Sequence, residues 1–148
     1  MIDTSALRRI ESSAPLCDTV ARAIDLGTIV VVVSRTISEQ LWRGQAAGHG
    51  EGVPPFDVKY VGNTVAVLGL LRCGDSLGRG DIYRAHLGKA TNDGSRADAL
   101  IVDAASMHAD LFVTDDNRQH DRAARELPAR VTVFKLDEFV SWLSAQGV

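Results

Sequence analysis

Asp3, Glu39, Asp98 and Asp116 carry the strongest chemical signal in the chain, because all four fall where strand ends meet helix starts. In open α/β sheets ligands bind outside the carboxyl ends of the strands, so the residues just beyond each strand are the first to inspect. Asp3 follows Met1-Ile2, Glu39 falls on the first turn of the helix after the aliphatic run 29–33, and Asp116 follows the run 111–113 with Thr114 and Asp115 between. Asp98 starts the helix that leads into 111–113. Carboxylates gathered at one edge raise one another's pKa values, and a bound divalent cation is the usual relief. Oxygen ligands favour a hard ion, Mg²⁺ or Mn²⁺. His49, His86, His108 and His120 show no H-x-x-x-H or similar zinc spacing, and His108 reads as a satisfied core residue.

Each acid also has a purely architectural explanation. Thr36-Ile-Ser-Glu39 and Ser95-Arg-Ala-Asp98 match the capping box, in which a carboxylate at the third helical position bonds back to the cap amide. Asp3 and Asp116 suit N-caps, which satisfy free amides at a helix start. Capping alone does not require all four at one edge of a sheet.

Positioning such a cluster needs a particular scaffold. The runs 29–33, 111–113 and 131–134 read as buried strands, with a stub at 1–2, since β-branched residues dominate and helical periodicity is absent. Helical stretches cover 14–26, 36–43, 63–73, 79–89, 97–109, 117–127 and 137–145. In the fifth of these, Ala97, Leu100, Ile101, Ala104, Ala105 and His108 make one apolar stripe. Strand and helix alternate, which predicts an α/β layer structure with a mostly parallel sheet. The stretch 44–62, with five glycines and Pro54-Pro55, is the long irregular segment; 56–61 is a candidate extra strand, and 74–80 a turn between helices.

Composition agrees. A chain of 148 residues, 45% hydrophobic, supplies the core of a single domain spanning 1–148. Cys17 and Cys73 are too few for a disulfide framework, and neither a signal peptide nor a membrane-spanning run is seen, so the expectation is a cytoplasmic protein with no membrane partner. A net charge of −3 argues against a broad basic face for coating nucleic acid but leaves local binding open. Gly78-Arg-Gly80 lacks the third glycine of a dinucleotide fingerprint, and no P-loop is present.

Ile2-Asp-Thr-Ser-Ala-Leu7, Thr36-Ile-Ser-Glu-Gln-Leu-Trp-Arg-Gly44, Ala97-Asp-Ala-Leu-Ile-Val-Asp-Ala-Ala105 and Leu111-Phe-Val-Thr-Asp-Asp116 together resemble, in order and spacing, the successive signatures of the PIN-domain family. The resemblance spans nearly the whole chain and is closest to the VapC-like toxins. It implies a three-layer α/β/α domain with a central, mostly parallel sheet of four or five strands. By position, Asp3, Glu39, Asp98 and Asp116 match the family's first to fourth acids, Thr114 its small hydroxyl residue, and Thr4 the residue whose hydroxyl orients the first acid. Asp103 is an additional candidate ligand, although five positions along a helix turns it about 140° from Asp98; an exposed or partner-facing acid is its plainer reading. The sequence departs from the family in its short first strand and its glycine-rich loop.

The function implied is a Mg²⁺- or Mn²⁺-dependent endoribonuclease, the toxin of a toxin–antitoxin pair, with RNA as substrate and an antitoxin and a second copy of the chain as partners. Asp3, Asp98 and Asp116 are the expected ligands, and Glu39 orients or deprotonates the water or holds a second ion. Arg8, Arg9, Arg43 and Arg118, with Arg35 and Arg96, are each near an acid and available to phosphates, although a solvated helix face is the commoner fate. Trp42, Ile82, Tyr83 and Leu87 are candidates for a dimer face or antitoxin groove. Two alternatives stand beside this: a non-catalytic RNA- or protein-binding module, and a phosphatase using Asp3 as nucleophile, which the Ser5 two positions on disfavours.

Overall fold

A computed structural model of the chain describes residues 1–64, 80–89 and 92–148. In chain order these form α1 (Thr4–Glu11), α2 (Ala14–Asp25), β1 (Val32–Ser34), α3 (Arg35–Ala46), β2 (Lys59–Val61), α4 (Asp81–Leu87), α5 (Asp93–His108), β3 (Leu111–Thr114), α6 (Asn117–Glu126), β4 (Thr132–Lys135) and α7 (Leu136–Ala145). The class is mixed α/β, and every strand pairing is parallel. Val33 of β1 lies opposite Tyr60 of β2, and Val113 of β3 opposite Phe134 of β4. The stub at the chain start joins β3 through a parallel bridge between Ile2 and Val113, held by N–H···O bonds from Val113 to Met1 and from Asp3 to Val113, each 2.9 Å.

Among the described residues the strands form two separate parallel pairs rather than one sheet of four or five strands. Strands of three or four residues offer few ladder bonds, and β1 is shorter than its aliphatic run suggests. Pairing starts only at Val32, and Val30 is 71% exposed. β4 is also less buried than its sequence implies, since Val133 and Phe134 are only half-buried. On that side Phe139 stacks on Trp142 at 6.0 Å, with Phe134 tilted against both.

Helix starts differ from the capping pattern in a way that matters for the site. Ser34 caps α3, accepting from Ile37 N–H, while the Thr36 hydroxyl bonds Asn63 at 3.0 Å. Asn92 caps α5, accepting from Ser95 N–H at 2.8 Å. Both helices therefore begin before the residues that looked like caps. α1 has only a short apolar stripe, Ala6, Leu7 and Ile10, all buried, which is why periodicity did not mark it as a helix. The expected helix 63–73 and turn 74–80 lie outside the described residues, apart from Asn63 and Thr64, which are not helical, and Gly80, which caps α4.

The core gathers Ile2, Leu7, Ile10, Val33, Ile37, Ile101, Phe112, Leu136 and Leu143, each contributing about 1.5–3 kcal/mol by leaving water. α5 runs through it with residues 99–105 all buried, because α4 packs over the face that a single stripe would have left to solvent. Ile82 packs against this core, whereas Trp42 stands 67% exposed. Among the described residues no helix is long and apolar enough to cross a membrane.

Candidate active site

A cleft of about 460 Å³ opens beside the carboxyl ends of the stub and of β3, and Asp3, Asp98 and Asp116 all line it. Asp3 and Asp116 arrive there as helix caps. Asp3 accepts from Ala6 N–H at 2.8 Å at the start of α1, and Asp116 from Arg118 and Gln119 N–H at 2.7 and 3.1 Å at the start of α6. Parallel pairing of the stub with β3 sets these two helix starts side by side. The capping explanation and the clustering explanation thus hold together for both residues.

Asp3 is the buried member, 2% exposed. Thr114 Oγ1 donates to its Oδ2 at 2.6 Å, and Ser5 Oγ donates to Oδ1 at 2.9 Å. Despite these donors its carboxyl is pushed up to about 6, chiefly by burial and in small part by the charge of Asp98, against the lowering effect of its hydrogen bonds. The hydroxyls on Asp3 are therefore those of Ser5 and Thr114. Thr4, the expected orienting residue, instead donates to the side-chain oxygen of Gln40. A carboxylate this enclosed, with both oxygens engaged, is a poor nucleophile, which counts against the phosphatase alternative.

Asp98 has no architectural duty. With α5 starting at Asp93 it sits in the second turn, beyond any capping box, and it accepts no hydrogen bond from any described residue. Burial raises its pKa, with a further push from Asp116, while His86 and Arg122 act the other way. Asp98 is thus a half-buried carboxylate without donors among the described residues, near Asp3 and Asp116, and only the more distant charges of His86 and Arg122 offset it at the cleft.

Glu39 lies outside this cleft. Its carboxylate points to a neighbouring hollow with Ser38 and Trp42, 3.6 Å from Arg35 Nε. Gln40, one residue and about 100° further round α3, occupies the cleft wall instead. Asp103 is neither in the cleft nor exposed. It is 3% exposed and accepts from the Thr64 hydroxyl and, at 3.0 Å, from Tyr83 N–H in the first turn of α4. Gly80 caps α4 without a side chain, and Asp103 supplies the missing acceptor from α5. Asp115 pairs with Arg9 at 2.6 Å, and the same guanidinium reaches Asp137 at 2.8 Å, so Arg9 braces the loop after β3 against α7.

Of the basic residues expected near phosphate, Arg8 and Arg43 line the cleft, while Arg9 and Arg118 do not. The glycine-rich loop contributes His49. Gly48, Gly50 and Gly52 all have φ near +80°, a turn that L side chains rarely adopt. Gln119, which the sequence did not single out, also lines the cleft; it is 7% exposed and its buried Nε2 lacks a partner among the described residues. Its position three residues after Asp116 was the only available signal, and that position reads equally well as a helix surface. His108 proves half-buried with an unpartnered Nε2, rather than a satisfied core residue.

Asp3, Asp98 and Asp116 present oxygen alone, the donor type a hard cation takes. Among the described residues no three acid, histidine or cysteine side chains stand close enough to form a ready-made cage. The set therefore fits an ion of the Mg²⁺ kind, bound through one or two carboxylates with water and substrate oxygens completing the shell, better than a fully protein-ligated ion. Among known proteins, no family model, no curated protein and no solved structure matches the chain.

Proposed function

We propose that the chain is a Mg²⁺- or Mn²⁺-dependent endoribonuclease of the PIN type, acting as the toxin of a toxin–antitoxin pair. The observation that carries this reading is Asp98: a half-buried carboxylate with no hydrogen-bond donor among the described residues and no capping role, sharing one cleft with Asp116 and Asp3. A hard cation bound there would lower the pKa of a coordinated water and neutralise charge on phosphoryl oxygens.

In this reading Asp98 and Asp116 hold the ion, and Asp3, fixed by Ser5 and Thr114, lends charge from below. Arg8 and Arg43 supply the cations that draw a polyanion toward an acidic site. Glu39 receives no catalytic role, since Gln40 stands at the cleft in its place. The three-layer family architecture, the antitoxin and the dimer rest on the sequence resemblance alone.

A second reading, an RNA- or protein-binding module without catalysis, is favoured by one observation: an amide, Gln40, rather than a fourth acid on the α3 wall. Calorimetric titration with Mn²⁺ separates the two. The nuclease reading expects saturable binding that is lost in Asp98→Asn, and absence of any binding heat in the wild type would sink it.

A further inference from the structure

The cleft wall facing the acids is cationic, and one of its cations, the exposed Arg8, rests against α3. The guanidinium of Arg8, reaching across from α1, lies over Gly44 of α3 so closely that a Cβ at Gly44 would stand 2.4 Å from Arg8 Nη2. The same nitrogen donates to the main-chain oxygen of Gln40 at 3.4 Å. Gln40, Gly44 and Ala47 share one face of α3 and all line the cleft, so Arg8 is laid along that wall.

The charge on this wall is unspent. Arg8 forms no ion pair, and Arg43 neither an ion pair nor a hydrogen bond, with any described residue. Arg9, by contrast, is committed to Asp115 and Asp137. Opposite charges line one cleft without pairing across it, leaving both the cations and the acids available to an incoming ligand that carries phosphates. Guanidinium groups bind phosphate through charge-assisted, often paired, hydrogen bonds.

We propose that Arg8, held over Gly44, forms with Arg43 a seat for an RNA phosphate neighbouring the one presented to Asp98 and Asp116. The inference rests on the ribonuclease reading and adds the station that grips the strand beside the cut. Gly44 is the positioning residue: a Cβ there would displace the guanidinium from its present place.

The test is RNA binding by the full chain in EDTA, followed by fluorescence anisotropy with a labelled single-stranded 12-mer across a salt series. Losing one phosphate contact on a single strand lowers the slope of log K against log salt by about 0.7. Arg8→Gln is expected to show that fall with about ten-fold weaker binding. Gly44→Ala should reproduce it with Arg8 intact, with folding checked by the melting temperature because its Cβ would also stand 3.2 Å from the His49 carbonyl. Arg9→Gln should leave the slope alone. In cleavage, Arg8→Gln should raise KM while kcat stays within about two-fold, as expected for uniform binding lost away from the reacting phosphate. Wild-type slope and affinity in both Arg8→Gln and Gly44→Ala, a collapse of kcat, or no RNA binding by the wild type would each overturn the seat. A wild type that binds RNA through Arg8 yet never cleaves it would instead remove the nuclease reading and leave the seat standing.

Discussion

Thr114 Oγ1 donates to Asp3 Oδ2 at 2.6 Å, joining the last residue of β3 to the cap of α1 across 111 positions of sequence. The same hydroxyl oxygen accepts from Asp116 N–H at 3.1 Å. One threonine thus fixes both ends of the acidic wall, and the backbone bridge between Ile2 and Val113 beneath it sets the spacing. The cluster is a consequence of strand pairing first and of side-chain chemistry second.

The Asp3 carboxyl, raised by burial from 3.8 to about 6, makes stability depend on pH. The folded state binds this proton more tightly than the unfolded chain does. That contribution is fully present below about pH 3.8 and is lost as pH rises through about 6, a difference of about 3 kcal/mol. Asp3→Asn, which keeps a competent cap, should therefore gain about 1–3 kcal/mol over wild type at pH 7.5 and little at pH 4, while losing activity. Urea denaturation at the two pH values checks it. A variant less stable than wild type at pH 7.5 would show that the ionised carboxylate is not the burden proposed.

Glu39 and Gln40 should behave oppositely to their chemical types. Glu39→Gln is expected to leave the cleavage rate within about two-fold, because its carboxylate faces a different hollow. Gln40→Ala removes the acceptor of the Thr4 hydroxyl and opens the wall beside Arg8, and should cost about ten-fold or more. Initial rates on one RNA decide the matter; a large loss with Glu39→Gln and none with Gln40→Ala would reverse the assignment.

Asp103 should matter to the fold and not to the metal. Asp103→Ala strands the Tyr83 N–H and the Thr64 hydroxyl in a buried setting, at a cost of about 1–3 kcal/mol in stability. Mn²⁺ affinity of the folded variant should match wild type. A ten-fold weaker affinity with unchanged stability would restore Asp103 as a ligand.

Much of this site was legible in the sequence, and the misses have a common physical cause. Asp3 and Asp116 can be found because each follows a short apolar strand, and Asp98 through its place on the helix that leads into 111–113 and in the resembled motif. The side of α3 that faces the cleft could not, since Ser34 rather than Thr36 starts the helix and neighbouring residues differ by about 100°. Asp103 reads as exposed because an apolar stripe says nothing about a second buried face, here the one that the preceding helix, α4, covers. Ser5 and Gln119 gave no signal of their own: a hydroxyl or amide acquires its role only from what strand pairing puts opposite it. The run 29–33 overstates its strand, because an aliphatic run does not record ladder bonds, whereas the runs 111–113 and 131–134 lie within one residue of β3 and β4 at each end.

The most direct test of the proposed activity is cleavage of single-stranded RNA by wild type and Asp98→Asn, each with Mg²⁺ or Mn²⁺ and with EDTA. Asp98 makes no hydrogen bond with any described residue that its replacement would break, so Asp98→Asn should fold as wild type does. The expected result is cation-dependent cleavage by wild type and a loss of about a hundred-fold or more in the variant. Equal cleavage by the two proteins, or full cleavage in EDTA, would contradict it.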